Sequence, residues 1–70
     1  MKYAVIIEES AENLGAYVPD LPGCTAVGDT REEVLCLIQE AIQLHIESLE
    51  QQGLDIPPPN SSVEIVDVAA

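Results

Sequence analysis

The pattern of apolar and polar positions along the chain predicts five elements. Residues 3–8 place Tyr3, Val5 and Ile7 on one face and Ala4 and Ile6 on the other, which reads as a strand buried on much of both faces. Residues 9–15 are polar and end in Asn13-Leu14-Gly15, a hairpin loop. The chain returns as a second strand over 16–19. Residues 20–23 form a turn, in which Pro22 sets φ at one corner and Gly23 supplies a positive φ at the next. A short third strand covers 24–27, and Gly28 and Asp29 close it.

Thr30 opens the longest element. Thr30, Arg31, Glu32 and Glu33 read as a capping box, with the Thr30 hydroxyl accepting from the Glu33 amide and the Glu33 carboxylate reaching back. The acidic first turn suits the positive end of the helix dipole. The helix is expected to run to about Gln52, with Gly53 as a left-handed stop and Leu54 folding back on Leu49. Ile56 and Pro57, Pro58 and Pro59 make a stiff extended connector. Residues 63–68 set Val63, Ile65 and Asp67 against Glu64, Val66 and Val68, a fourth strand. The expected fold is therefore α+β with order βββαβ, one antiparallel sheet packed on one long helix.

Spacing the helix at about 100° per residue gathers Glu32, Glu40, Gln43, Glu47 and Glu50 into a polar arc that also holds Cys36. The apolar residues fill roughly 200°, whereas a helix on one sheet needs a stripe of only about 100° or somewhat more. The surplus lies on the Leu37/Leu44 edge or the Leu35/Ile46 edge. Either loops of the domain wrap it, or it is a contact with a second copy or another partner.

Composition narrows the function. The 70 residues carry 2 Lys+Arg against 13 Asp+Glu, a formal net charge of −11, and no Phe or Trp. With only Lys2 and Arg31 as cations and only Tyr3 and Tyr17 as aromatic platforms, direct nucleic-acid binding is not expected. The same charge opposes an anionic membrane surface, and no stretch approaches the roughly 20 apolar residues of a membrane span. At 47% hydrophobic residues the chain is too apolar for a disordered acidic tail. A domain this small gains stability from self-association, so a homodimer or higher oligomer is expected. No signal-peptide pattern is present, and neither cysteine belongs to a CxxC pair, so a reduced cytoplasmic protein is expected.

Candidate chemistry is sparse. His45 is the sole imidazole and sits in the apolar arc with no carboxylate on its own face to orient it. Cys24 follows the Pro-Gly turn, but almost no positive charge is available to form a thiolate. Asp20, Asp29, Glu32 and Glu33 lie close in sequence without calcium-loop spacing, and Asp29 and Glu33 already have turn and capping roles. No cofactor, metal or catalytic site is expected. The acidic helix row is either a solvated face or a steering surface for a basic partner.

Four stretches carry a family resemblance: MKYAVIIE (1–8), YVPDLPGC (17–24), GDTREE (28–33) and EAI (40–42). Together they resemble the N-terminal domain of HicB-family antitoxins over nearly the whole chain. The resemblance implies a βββαβ domain with a partial RNase H-like fold and no RNase activity. It implies a single HicB-like domain over 1–70. It further implies an antitoxin of a type II toxin–antitoxin system, which binds and masks a small basic toxin, HicA, that degrades mRNA. The C-terminal DNA-binding segment of full HicB antitoxins is not expected here, and operator binding by this chain alone is not either. Tyr17, Asp20, Leu21, Pro22 and Gly23 match the motif and are either toxin contacts or a structural turn. The alternative function is an orphan or structural oligomeric interaction module.

Overall fold

A computed structural model describes residues 1–69. Three strands precede one helix: β1 (Ile6–Glu9), β2 (Leu14–Tyr17), β3 (Thr25–Gly28) and α1 (Arg31–Gln51). The strands form an antiparallel sheet in the order β1-β2-β3, with Ile7 opposite Ala16 and Ala16 opposite Ala26. Alternation of side chains then puts Ile7, Leu14, Ala16 and Ala26 on the face that receives the helix. The α+β reading and the sheet-on-helix architecture hold.

On the β1 side Tyr3, Val5 and Ile7 pack against the core as half-buried side chains, while the helix backbone lies closest to β3 and β2. Its buried positions Val34 and Ile38, followed by half-buried Ala41, Ile42, His45 and Leu49, follow a helical repeat. Val34 and Ile38 close on Ala16, Val18, Leu21 and Cys24 to make the core, with Ala41 and Ile42 packed against it. Close approach is possible because position 28 is glycine. A Cβ there would lie 3.0 Å from the Val34 amide nitrogen and 3.3 Å from its Cα.

Both helix ends are set by local chemistry. Thr30 Oγ1 accepts from the Glu33 amide at 3.1 Å, so the N-cap forms, while the reciprocal Glu33 bond of a capping box is absent among the described residues. At the other end Gly53 takes φ +69°, its amide donates to the Glu50 carbonyl at 3.1 Å, and the Leu54 amide donates to the Leu49 carbonyl at 2.9 Å. These are the two bonds of a Schellman ending.

The strand bounds and the fourth strand need correction: β1 begins at Ile6 rather than residue 3, and β3 at Thr25 rather than residue 24. The second strand begins at Leu14 rather than at residue 16 and ends before Val18. The first hairpin is tighter than a 9–15 loop, closed by the Ser10 amide donating to the Asn13 carbonyl at 2.9 Å, so Leu14 and Gly15 pair opposite Glu9 and Glu8. Pro19 has no amide to extend the ladder. The larger correction is the fourth strand. Residues 63–68 lie in no sheet, and residues 61–69 are exposed throughout, so the element order within the chain is βββα. A strand needs a neighbouring edge to complete its hydrogen bonds. Here Ser61 is held on Asp20, and the residues beyond it run clear of the chain's own sheet. The radius of gyration, 13.8 Å, exceeds the roughly 11 Å of a compact chain of this length for the same reason.

Candidate functional site

The stretch 17–24 is built from two successive β-turns. The Leu21 amide donates to the Val18 carbonyl at 3.1 Å, and the Cys24 amide donates to the Leu21 carbonyl at 3.0 Å. Proline occupies the second position of each turn, where its fixed φ fits. Gly23 takes φ +84° at the third position of the second turn, the left-handed conformation that type II requires.

This geometry divides the five motif residues. Leu21 is fully buried and is among the largest side chains of the core, so its role in the chain is packing. Pro22 and Gly23 are exposed at the tip, and Tyr17 is partly exposed on the sheet face opposite the helix. Asp20 is engaged within the molecule. Its two carboxylate oxygens accept from the Ser61 amide at 3.0 Å and the Ser61 hydroxyl at 2.9 Å. Sequence reading missed this pair because 41 positions separate the two residues and neither belongs to a periodic pattern.

The open sheet face carries Ile6, Tyr17 and Thr25 in one cross-strand row and Glu8, Gly15 and Val27 in the next. Val27 is 60% exposed, which leaves an apolar spot with an acidic border. On the helix both flanks of the wide apolar arc are uncovered. Leu44 is 67% exposed with Leu37 beside it, and Leu35 is exposed on the other flank above half-buried Ile46. Loops therefore do not wrap these edges. The acidic row is solvated as well: Glu32, Glu40, Glu47 and Glu50 are all exposed, and the last turn holds no basic residue to offset them.

The candidate nucleophile and base lack support. Cys24 is buried, and desolvation pushes its thiol above the ordinary range, the wrong direction for a thiolate nucleophile. His45 is half-buried on the helix, and the described residues contain no group of three His, Cys, Asp or Glu side chains placed to hold a metal ion. An open depression beside the first hairpin, lined by Glu9, Glu12, Asn13 and Asp29 among others, is acidic and brings no complementary base or cation into reach. No helix among the described residues is long and apolar enough to cross a membrane. The described surface thus presents three apolar patches, at Val27 and on the two helix flanks, within a strongly negative surround.

Comparison with known proteins adds the family. A profile described as the HicB_like antitoxin of bacterial toxin-antitoxin system matches residues 3–69. A UPF0150 protein of Thermoplasma acidophilum is 45% identical over 64 residues, covering 87% of this chain and 90% of that protein. Antitoxin HicB 2 of Photorhabdus laumondii is 32% identical over 64 residues, covering 91% of this chain but 46% of that longer protein. Among solved structures, a chain of a HicA3 and HicB3 toxin-antitoxin complex superposes with a TM-score of 0.72 at 33% identity, covering 84% of this chain and 70% of that one.

Proposed function

The chain belongs to the HicB-like antitoxin family, whose members are non-enzymatic binding modules, and we propose that it neutralises a small basic, RNA-cleaving toxin of the HicA type by covering the toxin's active surface. The observation that carries this reading is the family match across 3–69, because it includes the turn, the helix start and the core together. The net charge of −11 and the solvated row Glu32, Glu40, Glu47 and Glu50 support a basic partner, since opposite fields steer encounter. The exposed tip Pro22 and Gly23, Tyr17 on the open sheet face, and the Leu37/Leu44 and Leu35/Ile46 flanks provide apolar contact once the partners meet. The protein acts in the reducing cytoplasm and self-associates.

Titration calorimetry against the protein encoded beside this chain's gene, run with an RNA-cleavage assay, tests the reading. The expected result is tight binding that silences cleavage and weakens about tenfold or more between low and moderate salt. Absence of binding, with a stable homo-oligomer in solution, overturns it in favour of an orphan interaction module. Binding that ignores salt removes the electrostatic part alone.

A further inference from the structure

We propose that residues 63–68 complete the sheet of a second copy of this chain, pairing along the free edge of that copy's 3–7 segment in a reciprocal exchange. This deepens the self-association proposed above and is independent of the toxin.

The segment has the chemistry of a strand without the partner of one. Val63, Ile65, Val66 and Val68 are β-branched, the residue type that packs best on a pleated surface. All four are exposed, and Ile65 reaches 96%. Among the described residues no backbone group of 63–69 finds a backbone partner. An apolar, ladder-free stretch of this kind is a template for pairing with another chain, through main-chain hydrogen bonds and alternate side chains.

The chain's own path points away from its own edge. The Tyr3 hydroxyl donates to the Pro57 carbonyl at 2.6 Å, which pins the connector at the head of β1. Four residues later Ser61 is held on Asp20, in the turns between β2 and β3. Between these two anchors the chain crosses the end of the sheet from the β1 side to the β2–β3 corner. Residues 61–69 then leave the body, and at about 3.3 Å per residue they can reach roughly 30 Å. The molecule is correspondingly drawn out, 48 Å along its longest axis against 26 and 16 Å.

A matching edge exists on β1. It is an outer strand at the margin of the core, where Val5 and Ile7 pack against the core yet remain half-buried. Residues 3–5 precede the ladder, which begins at Ile6. A strand laid there places Val63 and Ile65 beside Val5 and Ile7, and Val66 and Val68 on the side of Ile6 and Tyr17. The charges favour this edge over the other one. Beyond β3 come Asp29, Glu32 and Glu33, which would face Glu64 and Asp67, whereas 3–7 is uncharged and follows Lys2.

Sedimentation equilibrium of the full chain, with amide hydrogen exchange, tests the proposal. The expected result is a dimer whose amides at 63–68 and 3–7 gain protection as protein concentration rises. Ile65→Pro removes a ladder donor and should raise the dimer dissociation constant about a hundredfold or more, with helical circular dichroism unchanged because the segment lies outside the core. Leu44→Glu should leave the dimer intact. A chain that stays monomeric overturns the proposal. So does a dimer that survives Ile65→Pro but fails with Leu44→Glu, and so does protection of 63–68 that ignores concentration, which would mean pairing within one chain. Toxin inhibition is read separately, so loss of exchange with inhibition retained sinks this proposal and leaves the antitoxin reading standing.

Discussion

Replacing Leu21 by alanine separates the two readings of the PDLPGC turn. The side chain is fully buried among Ala16, Val18, Cys24, Val34 and Ile38. Truncation removes three carbons, about 2.4 kcal/mol at roughly 0.8 kcal/mol per buried methylene group. A cavity contribution adds to this, because the turn's backbone is tied at both sides by the Leu21 amide to Val18 and the Cys24 amide to Leu21, so the site can collapse little. The expected loss is about 3–4 kcal/mol, inside the range of buried leucine truncations. At about 0.05–0.15 kcal/mol per residue the whole domain holds only about 3.5–10 kcal/mol. The variant should therefore lose from about a third to all of the domain's stability, and if that stability lies at the lower end of its range the variant is partly unfolded at room temperature. Urea titration followed by circular dichroism at the helix band, at one fixed protein concentration because self-association couples to folding, reads the change. Pro22→Ala is the control. Its exposed ring contributes mainly through the unfolded chain, about 0.4–1 kcal/mol. A loss below about 1 kcal/mol for Leu21→Ala would refute the assignment of this residue to the core.

Other outcomes follow from single contacts. Gly28→Ala should destabilise by about 1–3 kcal/mol in the same titration, because its Cβ would meet Val34 backbone at 3.0 Å, and that clash outweighs the roughly 0.5–1 kcal/mol an alanine gains over glycine in a strand. Thr30→Ala should cost about 1 kcal/mol by freeing the Glu33 amide, and Thr30→Asp should restore it. Iodoacetamide should label the exposed Cys36 in the native protein and reach the buried Cys24 only in urea, as counted by mass spectrometry. Burial raises the Cys24 thiol above its unfolded value, so its contribution to stability is intact below the ordinary thiol range and is lost as pH rises through the folded value. Alkaline titration of Cys24→Ala should show a shallower decline above that range than the parent chain.

Which features could be read from the residues depends on how local their causes are. Thr30 and Gly53 act on amides three to five positions away, so the helix was bounded within one residue at each end. Pro22 and Gly23 constrain φ within their own turn and were equally legible. The strand boundaries slipped by one to three residues, because the first hairpin is closed by Ser10 and Asn13, polar residues that suit several loop lengths. Periodicity marked Leu21 as apolar without distinguishing a core anchor from a contact, since burial depends on a helix that begins ten residues later. The same limit explains residues 63–68. Their alternation gives the segment strand character, but a strand is a property of two edges, and alternation names only one of them. The Asp20–Ser61 pair, invisible to any local pattern, holds the chain at the turns between β2 and β3 just before that segment. The wide apolar arc on the helix and the valine-rich segment are thus two expressions of one condition. Within these 70 residues the single sheet–helix interface is too small to cover all the apolar surface the sequence supplies, and the excess is left exposed at Leu44, Val27 and Ile65.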